Sequence, residues 1–401
     1  MQMIESGNVA AAIGVKLSKA KVIAAYPITP QTPLTEKLSE FIESGEMEAE
    51  YVPVESEHSA LAICIAATSA GARSFTATSA NGLLYMHEQI QWAAGARLPL
   101  VMCVVNRGVG APWTVWNDHQ DSISQRDTGW IQIHANDHQQ IIDTVIKSFA
   151  LAEEMMIPVM VCYDGYLLSH TYMPFDVPES SLVDAFLPPF NPPYSLDPSR
   201  PANLNTVTLP DVRPDVRGDM ALAYMEIRYL LHKDMLDAIP ALSKIDERYQ
   251  SVFGRGGNPL IEPYLCEDAD YIAVSLGSLS YHLRDVVDDL RNEGIKAGVL
   301  SVHLYRPFPA QAVAEALCGC KGVVVFEKAL SYGYQGTLSS DIKSALYNST
   351  RDRRERPFVL NYILGLGGRE IATRDLYDAL RFSCTADDPC NEETRWIGLK
   401  L

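Results

Sequence analysis

Strand-like runs, several of them apolar on both faces, recur along this chain, and each alternates with a helical pattern. KVIAAYPI precedes TPLTEKLSEF, EYVPVES precedes HSALAICIAATSAG, ARSFTATSA precedes LLYMHEQIQWAAG, and LPLVMCVVN and IPVMVCYDG flank DHQQIIDTVIKSFALAEE. A strand that is apolar on both sides must be covered on both sides, and helices between such strands imply a parallel sheet. The pattern starts again near residue 260 with DYIAVSLGS, LSYHLRDVVDDLRNEG, KAGVLSVHLY, FPAQAVAEALCG, KGVVVFEKA and PFVLNYILGL. The expected fold class is therefore α/β, two three-layer units with mainly parallel sheets, over 1–240 and 260–401. Residues 5–20 read as a helix and Asn81-Gly82 as a turn. Ten prolines fall between Pro174 and Pro214, where the aromatic and aliphatic residues Phe186, Phe190, Tyr194 and Leu196 favour an ordered arm over a free linker. A helical crossover follows it.

A length of 401 residues suits two or three domains. The net charge of −17 disfavours nucleic acid and anionic membrane as partners. No apolar run reaches the roughly 18 residues of a spanning helix, and MQMIESGN lacks the basic start of a secretory signal, so the cytoplasm is the expected compartment. The eight cysteines lie mostly in apolar stretches, and the one close pair, Cys318 and Cys320, lacks the four-thiolate spacing of an iron-sulfur cluster. No Walker A sequence, strand-linked G-x-G-x-x-G or G-x-S-x-G occurs, which counts against a nucleotide held by this chain alone and against an ordinary α/β hydrolase.

Ligands of open parallel sheets bind beyond the carboxyl ends of the strands. Four such loops carry polar groups: YPITP, ESEH, TSANG and the long NRGVGAPWTVWNDHQDSISQRDTGWIQ. In the second loop Glu57 reads equally as a helix first-turn carboxylate or as an acid-base group. Arg107 suits a carboxylate ligand or a structural ion pair with Glu55, Asp118 or Asp127. Asp118, His119 and Asp121 are too crowded for a regular metal site, which favours hydrogen bonding within the loop. Trp113, Trp116 and Trp130 in one loop are expected to be buried against protein.

The strings AAYPITPQTPLTEKLSEF, ESEHSA, FTATSANGLLYMHEQ, NRGVGAPWTVWNDHQDSISQRDTGWIQ, DGYLLSHT, LYRPFP and GLGGREI, in this order across nearly the whole chain, closely resemble the alpha subunit of pyruvate and related 2-oxoacid:ferredoxin oxidoreductases. The resemblance implies a pyrimidine-side thiamine diphosphate-binding domain followed by a transketolase C-terminal-like domain. It also implies a beta subunit that holds the diphosphate with Mg²⁺ and a [4Fe-4S] cluster, gamma and delta subunits with further clusters, ferredoxin as acceptor and coenzyme A as co-substrate. Carried over by motif, Glu57 bonds the pyrimidine N1′ and promotes the tautomer that takes the thiazolium proton. Arg107 pairs with the substrate carboxylate, and Thr29 lies beside that carboxylate and the 2-oxo group. Tyr26, Pro27 and Asn81 shape the pocket, and no metal ligand is assigned to this chain. Relatives acting on oxalate have arginine at the position of Thr29, so the threonine implies a monocarboxylate, pyruvate first. Gly108-Val109-Gly110 replaces bulkier residues and is expected to enlarge or loosen the pocket, which keeps 2-oxobutyrate, branched 2-oxoacids or another small 2-oxoacid open, with 2-oxoglutarate and oxalate as further alternatives. A non-catalytic scaffold is the remaining alternative.

Overall fold

The computed structural model describes residues 1–193, 213–214, 220–221, 223–349, 356–385 and 394–401. Two sheets dominate it. The first has seven strands in the order Leu304–Arg306, Ile131–His134, Val159–Asp164, Val101–Asn106, Ser74–Thr78, Val22–Ala25 and Glu50–Pro53. All neighbours are parallel except Leu304–Arg306, which joins from the second half of the chain and pairs antiparallel with Ile131–His134. Every residue of Ser74–Thr78, Val101–Asn106 and Val159–Asp164 is buried, the result of helices covering both faces.

The second sheet has six strands in the order Ile261–Tyr264, Ala297–Val302, Tyr271–Ser275, Gly322–Glu327, Phe358–Ile363 and Thr394–Trp396, with only the first antiparallel. It is a mixed sheet, parallel apart from that edge strand. Its apolar residues form two clusters, one on each face of the sheet, around Val274 and Val325 and around Val299 and Phe326. The carboxyl edges of the two sheets meet. Asp164, ending a strand of the first, bonds to Lys328 and Ser278, which follow strands of the second.

Two local expectations are corrected. The start of the expected helix at 5–20 is a strand, Gln2–Ser6, paired antiparallel with Tyr172–Asp176, and the helix is Gly7–Leu17 with the Ser6 hydroxyl accepting from the Val9 amide. A strand partner about 170 positions away leaves no trace in local periodicity. Asn81 and Gly82 lie inside a short helix, Ala80–Tyr85, because the carboxylate of Asp121 accepts the Ala80 amide and fixes the first turn. In the proline-rich arm, Ser180–Phe186 is helical and Phe186 packs edge-on against Tyr249, with ring centroids 5.3 Å apart. Tyr194 and Leu196 lie outside the described residues.

One core carboxyl yields a pH prediction. Glu327 ends a strand of the second sheet, 4% exposed, and accepts from the amides of Leu338 and Ser339 and from the Asn361 side chain. Burial pushes it up to about 7, against the hydrogen bonds that lower it. A carboxyl raised in the fold stabilises below its unfolded value and costs stability as pH rises through its folded value. The chain should therefore lose about 3 kcal/mol between pH 5 and pH 9 from this group. Denaturant titrations of the wild type and of Glu327→Gln should show the variant lacking that share of the decline, and parallel declines would refute the assignment.

Candidate active site

The candidate site lies on the carboxyl edge of the first sheet, in the loops following Val22–Ala25, Glu50–Pro53, Ser74–Thr78 and Val101–Asn106. Glu57 is the first residue of the helix Glu57–Ser69, whose N-cap, Ser56, accepts from the Ser59 amide. Its side chain is 9% exposed and lies over the helix Ala80–Tyr85 at Gly82. A Cβ on Gly82 would stand 2.6 Å from the Glu57 Oε1 and 2.6 Å from the Thr78 Oγ1, so only glycine lets the carboxylate lie there. No described residue donates a hydrogen bond to that carboxylate, and the Thr78 hydroxyl beside it is also buried without a partner. Glu55, two residues earlier, is exposed and bonded to Ser59.

Arg107 follows the strand Val101–Asn106 and is 5% exposed. Its Nε donates to the Thr114 carbonyl and its Nη1 to the Thr29 carbonyl, each at 2.8 Å. Neither Glu55, Asp118 nor Asp127 forms the ion pair that the sequence left open, and among the described residues no carboxylate lies within 4 Å of the guanidinium. Burial lowers its proton affinity, while Tyr166 and Asp121 nearby raise it.

Asp121 joins the two halves of the site. Completely buried, it accepts from the amides of Ala80, Arg107 and Ser122 and from the Asn106 side chain at 2.7–3.0 Å. Burial pushes it up to about 6 in spite of these four donors. It ties the Arg107 backbone to the helix that carries Gly82 under Glu57. Asn81 lies at the same helix start, and its Oδ1 accepts from the Gly110 amide at 3.0 Å. Tyr26, Pro27 and Thr29 form the exposed rim, whose last residue, Pro30, is buried and accepts from Asn8. Thr29 thus contributes its carbonyl to Arg107 and is itself exposed.

Asp118, His119 and Asp121 each make separate hydrogen bonds, to the amides of Gln120 and Gly367, to Asp164 and to the Asp121 set above. Among the described residues no group of three or more His, Cys, Asp or Glu is placed to hold a metal ion. Of the three tryptophans expected to be buried against protein, this chain itself buries one. Trp130 is buried and donates to the Ile90 carbonyl, but Trp113 and Trp116 are 78% and 53% exposed. Trp130 leads into a core strand, whereas the other two lie beyond the sheet edge, Trp113 over the Arg107 guanidinium. Gly108 does not enlarge the pocket. A Cβ there would lie 2.5 Å from the Thr114 Cγ2, so the missing methyl makes room for Thr114 instead.

Sequence reasoning missed Asp164 and Lys328. Both follow or end fully apolar strands, VMVCYD and GVVVFEK, and a charge in that position is the signal that was there to read. Asp164 is 0% exposed and Lys328 2%. Burial favours the neutral acid at Asp164, but the charges of Lys328 and His119 and the hydrogen bonds from His119 and Ser278 hold it well below the usual carboxylate range.

The residues present suit an aminopyrimidine ring. A nearly buried carboxylate with an unused acceptor, on an edge with an open mouth, is what a ring nitrogen that gains a proton needs. Two family descriptions match the chain: "Pyruvate flavodoxin/ferredoxin oxidoreductase, thiamine diP-bdg" over residues 13–235 and "Pyruvate:ferredoxin oxidoreductase core domain II" over residues 269–376. The chain is 42% identical over 377 residues to the ketoisovalerate oxidoreductase subunit VorA of Pyrococcus horikoshii, covering 94% of this chain and 92% of that one. It is also 42% identical over 397 residues to the pyruvate synthase subunit PorA of Methanothermobacter thermautotrophicus, covering 98% and 97%. Among solved structures it resembles the 2-oxoglutarate:ferredoxin oxidoreductase of Magnetococcus marinus in fold, with a TM-score of 0.71 at 21% identity over 96% of this chain and 65% of that one. Among the described residues no helix is long and apolar enough to cross a membrane.

Proposed function

Because the chain belongs to the alpha-subunit class of thiamine diphosphate-dependent 2-oxoacid:ferredoxin oxidoreductases, enzymes built from several subunits, we propose that its carboxyl edge forms the pyrimidine and substrate-carboxylate half of a shared active site. One observation carries this reading. Glu57 and Arg107 are both nearly buried, stand on one edge linked through Asp121 and the helix Ala80–Tyr85, and neither forms an ion pair with a described residue. Charged side chains withdrawn from water without an ion-pair partner are costly, so an edge that carries two of them suits the receipt of polar or charged ligands.

Bound thiamine diphosphate supplies the carbon nucleophile and electron sink for decarboxylating a 2-oxoacid. Glu57 holds a proton with the aminopyrimidine ring nitrogen, and the Gly82 contact keeps its carboxylate in place. Arg107 binds the substrate carboxylate through the N–H groups that the Thr29 and Thr114 carbonyls leave over. Thr29, exposed at the same rim, adds no charge. Tyr26, Pro27 and Asn81 bound the pocket, Asn81 through its hold on Gly110. The diphosphate with Mg²⁺, the [4Fe-4S] clusters and the ferredoxin contact fall to beta, gamma and delta partners, and coenzyme A takes the acyl group.

Relatives named for ketoisovalerate and for pyruvate stand at the same 42% identity. The substrate proposed is accordingly an aliphatic monocarboxylic 2-oxoacid, pyruvate or a branched-chain acid, rather than pyruvate alone. The chain should be co-expressed with its partner subunits and assayed for viologen reduction, with coenzyme A on pyruvate, 2-oxobutyrate, 2-oxoisovalerate and 2-oxoglutarate, and without it on oxalate, whose only carbon product is CO₂. The expected kcat/KM on the best monocarboxylate exceeds that on either dicarboxylate by about tenfold or more, since Thr29 offers no second cation. Preference for a dicarboxylate overturns the substrate class, and no turnover on any acid by an intact complex overturns the catalytic reading in favour of a scaffold.

A further inference from the structure

The loop that holds Arg107 rests on the second sheet as much as on its own. The Gly108 amide donates to the Trp116 carbonyl and closes the loop, and the Thr114 methyl fills the space beside Gly108. From the other side, the Gly367 amide donates to the Asp118 Oδ2 at 3.0 Å and the Gly368 amide to the Asn117 carbonyl at 2.8 Å. The His119 amide in turn donates to the Lys328 carbonyl at 2.9 Å. The glycine loop Gly365–Gly368 takes left-handed φ values at Gly365, Gly367 and Gly368. That conformation brings its backbone against the other loop. A Cβ on Gly368 would stand 2.3 Å from the Trp116 Cβ, and one on Gly367 would touch Thr114 at 3.6 Å.

Thr114 is the residue whose carbonyl receives the Arg107 Nε. We infer that the glycine loop Gly365–Gly368 of the second sheet is a positioning element for Arg107, so that the C-terminal unit sets the affinity of the complex for the 2-oxoacid carboxylate. The inference rests on the carboxylate-binding role proposed above for Arg107. Gly367 and Gly368 touch neither substrate nor cofactor in this account. They act through Asp118, Asn117, Thr114 and Trp116 on the direction of one guanidinium.

The test uses the assembled complex. Gly368→Ala places a methyl against Trp116 and strains a φ of 75°. It should raise KM for the 2-oxoacid about fivefold or more, with kcat within about twofold and KM for coenzyme A unchanged, because a carboxylate contact made equally before and in the transition state appears in KM. Arg107→Lys, which loses the Nε donor, should raise the same KM, and adding Gly368→Ala to it should change nothing further. Should the Gly368→Ala complex not assemble, Asp118→Asn takes its place, since its amide nitrogen meets a backbone donor at either Gln120 or Gly367. If Arg107→Lys raises KM while the loop variant leaves it unchanged, or if the two effects multiply, the positioning role is wrong and the proposed function stands. If Arg107→Lys itself leaves KM unchanged, the carboxylate reading fails and the inference goes with it.

Discussion

Glu57→Gln in the assembled complex is expected to lower kcat by a factor of about 10² to 10⁴, the range spanned by loss of a positioned proton-transfer group. The substitution keeps the side-chain length, so the contact over Gly82 and the Ser56 cap of the helix Glu57–Ser69 remain. What it removes is the ability to share a proton with a ring nitrogen, which a neutral amide does not do at ordinary pH. KM for the 2-oxoacid should change little, because Arg107 is untouched. Steady-state viologen reduction together with thermal melting checks the claim. A variant that melts with the wild type and retains more than a tenth of its kcat would remove Glu57 from the chemistry and leave it a first-turn carboxylate.

Asp164→Asn should destabilise the chain by about 3–5 kcal/mol, the usual cost of stranding one partner of a buried ion pair. The Lys328 ammonium is 2% exposed and bonds Asp164 at 2.9 Å, so the amide would leave a full positive charge in the seam between the two sheets. Lys328→Met should cost less, since Asn117, His119 and Ser278 still donate to the carboxylate. The double variant Asp164→Asn/Lys328→Met should recover part of the loss, because it removes both charges. The pH dependence has a definite sign. A carboxyl depressed in the fold contributes stability above its unfolded value of 3.8 and loses it as pH falls towards its folded value. The gap between wild type and Asp164→Asn should therefore be constant above about pH 5 and shrink below pH 4. Urea titrations across that range measure it, and a gap that widens in acid would show that the pair is not what holds the seam.

The strand ends where ligands gather were legible because burial on both faces writes an uninterrupted apolar run, and its end marks the carboxyl edge. That reading and the ordered motifs singled out Glu57 and Arg107, and the fold sets both on that edge. The exposure of Trp113 and Trp116 was not legible, because an aromatic residue carries the same composition whether it packs within its own chain or stands at a rim. The role of Gly108 was misread for a related reason. A missing side chain says that space is needed, and only the fold shows that Thr114 fills it.

By itself the sequence determined the two α/β units, the strands that end at the site and the family to which the chain belongs, since these depend on periodicity and on ordered residue strings. Tertiary structure alone decided which charges are paired. Asp164 and Lys328 are 164 positions apart and form an ion pair, while Glu57 and Arg107, closer in the chain, form none with a described residue. Coulomb attraction and desolvation depend on distances in space and on exclusion of water, and neither is encoded in the order of residues before the sheets meet.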